Sequence, residues 1–219
     1  MESTERYETY LAADLTYEES YHVAGEDFSR DIPFEITLPQ FNSKIAGYRQ
    51  INAYFQNAYQ EALQDKDTYF KTVAEEDPEI TNMWFQSTSY GYIYIGEQYI
   101  TVDQRWDGYW GGVRGWYAEE PVTFDRTTGE TVSLETLLGM PTDEAVSMLT
   151  ASVYKYWEGV GRGKFLLRDW DRLTEAYNPD QFFLFPDGIG IYYELHAIGS
   201  TADRDFLFIV PYEEFPEAF

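Results

Sequence analysis

The sequence predicts a single α+β domain in which two main helices pack on an antiparallel sheet. Three observations predict it. Apolar residues recur at helical spacing in two main stretches, about 48–65 and about 142–157. Elsewhere, short runs rich in Tyr, Ile, Phe and Thr alternate with turn residues, the pattern of strands. The links between those runs are of hairpin length, so neighbouring strands should run antiparallel.

Taken in order, residues 1–32 form an acidic segment with alternating aromatics ("YETYLAADLTYEESYHVAG"), read as edge strands or an arm ahead of a domain spanning 33–219. "PFEITLPQF" reads as a short strand bounded by Pro33 and Pro39. Ile51, Phe55, Ala58, Ala62 and Leu63 then mark an amphipathic helix to about Asp65, with the pattern reaching toward Ala74 before "DPE" stops it. "MWFQSTSYGYIYIG" and "QYITVDQRW" form a hairpin through Gly96 and Glu97. "PVTFDRTTGETVSL" repeats the pattern as strand, polar turn and strand. Thr142 caps a second helix, with Asp143 and Glu144 at its positive end and a stripe of Ala145, Met148, Leu149, Ser152, Val153 and Tyr156. "RDWDRLTEAYN" is a short third helix, and "QFFLF", "IGIYYEL" and "FLFIVPY" close the chain as antiparallel strands.

Composition excludes several functions. The 219 residues carry 39 acids against 15 bases, a formal charge of −24, which repels nucleic-acid phosphates and anionic lipid and attracts a cationic partner. Cysteine is absent, which removes disulfides, thiolate metal sites and cysteine nucleophiles. The longest apolar runs are short, such as "FLFIV" at 206–210, so no membrane insertion is expected. "MESTERYETY" is polar and acidic, unlike a signal peptide.

The motifs point away from catalysis. "GGVRG" at 111–115 has neither phosphate-loop spacing nor a following helix, and Asp107 would repel phosphate. Its glycines instead suit a bulge or a close approach of backbones within a sheet. His22 and His196 are the only histidines, far apart and without a ligand pattern. There is no G-x-S-x-G elbow and no calcium-loop pattern. The acid pairs Asp103/Asp107, Glu119/Glu120, Asp169/Asp171 and Asp203/Asp205 read mostly as solvated faces, since close pairs arise by chance among 39 acids and linear sequence does not show the two opposed carboxyls that a glycosidase needs. We therefore expect no enzyme, no cofactor and no metal. Trp106, Tyr109, Trp110, Trp116 and Tyr117 form an aromatic cluster that serves mostly as packing; where exposed, it is a stacking platform for sugar or a patch for a protein.

The order of "GGVRG", "FDRTTGETVSLETLLG" and "FFLFPDGIGIYYELHAIGSTADRDFLFIVPYEEF" resembles the extracytoplasmic domain of the anti-sigma-V factor family, which also occurs beside peptidoglycan deacetylases. The resemblance covers about residues 106–219, with "YRQINAYFQNAY" echoing a family helix. It implies an extracytoplasmic, non-enzymatic binding or sensory domain, and some members recognise lysozyme, a cationic muramidase. Arg114 stands where the family usually has histidine. In members that bind lysozyme, a Pro-Tyr loop tip contacts the enzyme; the matching register here holds Ser200, Thr201, Ala202, Asp203 and Arg204, so the Pro-Tyr pair is absent. The contact is then expected on the loop from His196 to Asp205, with Asp203, Asp205 and nearby Glu194 supplying charge, and the affinity through that loop should be weak and salt-dependent. The alternative is a cell-wall carbohydrate-binding accessory module in which exposed Trp and Tyr stack on sugar rings; Trp110, Trp116 and Arg114 are candidate binding residues.

Overall fold

The computed structural model describes residues 10–24, 29–76, 84–110, 115–159, 170–194, 197–198 and 206–215. Their alternation of buried and exposed positions sets up the first layer. Along β2 (Ser29–Leu38), Ile32, Phe34, Ile36 and Leu38 are buried while Asp31 and Glu35 face water, the two-residue period of a half-buried strand. β1 (Leu15–Ala24) pairs with it antiparallel along its full length, from Leu15 opposite Leu38 to Ala24 opposite Ser29. The strand begins four residues ahead of Pro33, which the sequence reading took as its boundary. The ladder from β2 to its other neighbour covers only Phe34 to Ile36, so the missing N–H of Pro33 falls just outside it.

After β2 the chain runs through α1 (Ala46–Glu76), a helix of 31 residues, and re-enters the sheet as β3 (Trp84–Ile95). β3 lies parallel to β2, a departure from the antiparallel pairing that otherwise holds in the described ladders. The reason is geometric: a long helical crossover returns the chain to the same end of the sheet, which a short turn cannot do. The buried stripe of α1 is Tyr48, Ile51, Phe55, Ala62, Tyr69 and Val73, extending well past Asp65. Its far end gains from rings: Phe34 of β2 packs against Tyr69 and Phe70 with centroids 6.1 and 6.2 Å away.

β4 (Tyr99–Trp110) follows β3 through the expected tight link, where the Gly96 N–H donates to the Tyr99 carbonyl at 2.9 Å. β5 (Trp116–Asp125) completes a five-stranded sheet of order β1-β2-β3-β4-β5. The second strand expected after Asp125 reduces to one bridge, Phe124 with Thr131. A short helix, α2 (Leu134–Leu138), takes over because Ser133 caps its start, accepting from the Thr136 N–H, and Gly139 (φ 65°) ends it.

α3 (Thr142–Gly159) and α4 (Trp170–Ala176) precede a separate three-stranded antiparallel sheet, β6 (Phe182–Phe185), β7 (Gly188–Tyr193) and β8 (Phe206–Pro211), in that spatial order. Thus there are two sheets where one was expected. α1 packs on β1 and β2 of the first, and α3 on β8 of the second. α3 buries Ala145, Val146, Leu149 and Val153, whereas Tyr156, predicted in the stripe, is 61% exposed. Rows of i+4 spacing drift around a helix, and the buried flank is the one holding Val146 and Thr150.

The chain divides into two compact units. The first comprises Met1–Gly91, Gln104–Glu119 and Arg126–Glu130; the second comprises Tyr92–Asp103, Glu120–Asp125 and Thr131–Phe219. The core of the first is the α1 stripe with Ile32, Phe34, Ile36, Leu38 and Phe41. That of the second joins Leu134, Leu137 and Leu138 to α3, Leu173, and the inward residues Ile189, Ile191 and Tyr193 of β7.

Candidate functional site

The β4–β5 hairpin carries the aromatic residues that the sequence singled out. Three cross-strand contacts fix its register: Thr101 with Thr123 (Oγ1–Oγ1 2.8 Å), Arg105 with Glu119 (Nη2–Oε1 3.1 Å), and Gly108 under Trp116. Each pair is equally far along the chain from residue 112. Side chains alternate across a strand, so Arg105 and Glu119 share one face with Tyr117, and Trp116 takes the other.

Trp116 is 39% exposed and seated on backbone. A Cβ at Gly108 would come within 2.7 Å of Cε2 and Nε1 and 2.8 Å of Cζ2 of the indole. Glycine is therefore required for the ring to lie where it does, and the ring in turn covers the gap that glycine leaves. Tyr117 is 36% exposed on the opposite face. Arg105 is seated in the same manner, since a Cβ at Gly91 would fall on its guanidinium. The ion pair holds Glu119 with its side chain 17% exposed. Gly115 also approaches the neighbouring strand closely: a Cβ there would meet the Gly108 carbonyl oxygen at 2.9 Å.

Of the other predicted site residues, Trp110 closes β4, but its side chain lies outside the described residues, as do Arg114, His196, Ser200, Thr201, Asp203, Arg204 and Asp205. Gly111 and Gly112 lie outside them as well. Glu194 is exposed just beyond β7. Its carboxylate, together with loss of water around the Glu120 carboxyl, holds Glu120 above the usual carboxylate range, the desolvation being the larger cause. That approach of Glu120 to Glu194 joins residues 74 apart and has no signature in the sequence. The Arg105–Glu119 pair and the Trp116 seat were within reach of the sequence, given the hairpin centre, because the alternation then follows.

Of the acid pairs, Asp103 and Glu119 depart from solvated faces, and the side chains of Asp169, Asp171, Asp203 and Asp205 lie outside the described residues. Asp103 is fully buried, with its Oδ2 3.5 Å from the Tyr92 N–H, while Glu119 is engaged by Arg105. His22 is exposed on β1 and meets Asp31 of β2 at 2.7 Å, a cross-strand surface contact. A hollow of about 220 Å³ lies between α3 and the C-terminal turn, lined by Met148, Ala151, Ser152, Lys155, Glu214 and Phe215; Lys155 and Glu214 approach to 3.6 Å at its rim. Among the described residues no group of three or more His, Asp or Glu side chains could hold a metal ion, and no helix is long and apolar enough to cross a membrane.

No family model and no curated protein sequence matches the chain. Solved structures are similar to it along nearly its whole length. A member of the DUF3298 family from Bacteroides fragilis NCTC 9343 superposes with a TM-score of 0.67 at 15% identity, covering 95% of this chain and 93% of that one. A DUF3298 family protein from Pseudomonas aeruginosa PAO1 gives 0.61 at 14% identity, with 94% of each chain covered. The chain therefore has the fold of these DUF3298 proteins.

Proposed function

We propose that this chain is a non-enzymatic, extracytoplasmic binding or sensory domain whose partner is a cationic protein of the muramidase class. The observation that carries the reading is the charge of −24, joined by the resemblance to anti-sigma-V ectodomains. A surface of that sign raises the on-rate and selectivity for a basic partner. The Glu120–Glu194 approach supports it at the residue level, because two neighbouring carboxylates favour an incoming Lys or Arg. A calorimetric titration against a lysozyme-type muramidase tests the reading. Binding at low ionic strength is the expected result, with an association rate that drops as salt screens charge over about 10 Å at 0.1 M. Absence of binding at low salt removes the muramidase from consideration.

A second reading, a cell-wall glycan module, is favoured by one observation. The indole of Trp116 presents a large exposed surface while being held in place from beneath. Titration with chitin and peptidoglycan oligomers, followed by tryptophan fluorescence, separates the two.

A further inference from the structure

We infer that the start of the β5 edge, centred on Trp116 and Tyr117 in the first unit, is the surface that anchors the cationic protein partner. The inference rests on the partner class proposed above and locates the contact on the hairpin.

β5 is a terminal strand in the order of its sheet. Its first two residues expose large rings, 39% for Trp116 and 36% for Tyr117, and consecutive strand residues place those rings on opposite faces. The edge is thus flanked by an aromatic on each side. Trp and Tyr are the residue types that dominate binding energy in protein interfaces, because they bury much area for few rotatable bonds. Here the cost of ordering is reduced further: Gly108 seats the indole, and Gly91 seats the Arg105 that holds Glu119 beside Tyr117. Preorganisation of this kind raises affinity without adding contacts.

Charge identifies the occupant. An exposed indole is the strongest aromatic partner for a Lys or Arg side chain. Asp107 shares the face of Arg105 on β4, two residues along, and the positive charge of Arg105 is matched by Glu119, so the face that carries Tyr117 also carries the Asp107 carboxylate. An aromatic edge on a chain of charge −24 suits a basic protein surface. The loop register lacks an apolar tip at Ser200 and Thr201, and the Trp116–Tyr117 edge supplies the anchor that charge alone does not.

The test is surface plasmon resonance with a lysozyme-type muramidase over wild type, Trp116→Ala, Trp116→Phe, Gly108→Ala and Tyr117→Ala, at low and high salt, with thermal melts of each variant. Wild type should retain measurable binding at high salt. Trp116→Ala and Tyr117→Ala should each speed dissociation about tenfold or more at both salts. Trp116→Phe should fall between, and Gly108→Ala should weaken binding although Trp116 is still present, because its Cβ displaces the indole. If Trp116→Ala melts early, Trp116→Phe and Tyr117→Ala carry the comparison. Wild-type binding that vanishes at high salt, or variants within twofold of wild type, overturns the inference and leaves the cationic-partner reading standing. No wild-type binding at low salt removes that reading, and the inference with it. Binding of a chitin oligomer that depends on Trp116, without muramidase binding, makes the edge a glycan platform and also overturns the inference.

Discussion

Gly129 and Gly139 both adopt positive φ, 78° and 65°, yet their surroundings differ. Nothing lies within 4 Å of where a Cβ on Gly139 would sit, whereas one on Gly129 would strike the Gly47 backbone and come within 2.6 Å of the Gln50 Cβ. Gly47 is itself closed in by the carbonyls of Arg126 and Thr127, so the turn after β5 crosses the start of α1 backbone to backbone. Gly139→Ala should therefore cost only the left-handed strain, about 1–2 kcal/mol, and Gly129→Ala distinctly more. Urea melts of the two variants measure the difference, and equal losses would mean that the crossing is not tight. Elsewhere the residue scale is electrostatic. Lys66 of α1 donates to the Tyr17 hydroxyl at 2.9 Å and to Glu19, clasping β1 to the helix. Hydrogen bonds from Lys66 and then Tyr17 hold Glu19 below the usual carboxylate range, and hydrogen bonds with Glu19 and then Tyr17 hold Lys66 above the ordinary lysine range. With the Glu19 side chain 43% exposed, such a pair contributes little stability. At the candidate site, the exposed tryptophan and tyrosine were legible in the sequence as an aromatic cluster. Which of the rings would be exposed was not, because that depends on Gly108 lying under Trp116.

At the scale of elements, α3 is the main inner support of the second unit. Leu149 is fully buried among Ala145, Val153, Leu173 and the inward residues of β7. Leu149→Ala should cost about 2–5 kcal/mol through lost burial and the cavity left behind. Thermal unfolding followed by far-UV circular dichroism checks this; a loss below about 1 kcal/mol would mean that the helix packs loosely. Helix positions were legible because a period of 3.6 shows in any long apolar stripe, and Thr142 and the flanking acids marked the start of α3. The length of α1 was less legible. Past Asp65 its buried residues thin to Tyr69 and Val73, and rings from β2 supply the remaining contacts. α2 was missed because "ETVSL" alternates like a strand, while the Ser133 and Gly139 caps outweigh that alternation locally.

For the whole molecule, aromatic content and charge set the behaviour. Burial pushes the hydroxyls of Tyr69, Tyr177, Tyr193 and Tyr212 well above the ordinary tyrosine range, and pushes Tyr90 up to about 12, aided by Asp14. Unfolded tyrosines lose their protons near pH 10. The folded state therefore binds more protons above that pH, so stability is fully present below about pH 10 and falls as pH rises toward and past 12. Thermal midpoints between pH 8 and 12 should decline above 10, and tyrosinate absorbance should rise together with unfolding. Ionisation of nearly all 20 tyrosines near pH 10 in a folded chain would contradict the burial.

The sequence by itself determined the α+β class, the places of the long helices, the β3–β4 hairpin and the acidity of the chain. These follow from local periodicity, turn chemistry and composition, which need no knowledge of distant contacts. Only the tertiary structure decided the parallel pairing of β2 with β3, the division into two sheets and two units, and the electrostatic influence of Glu194 on Glu120. Those depend on which strand edges and carboxylates meet after long crossovers, and residues separated by tens of positions carry no local trace of that choice.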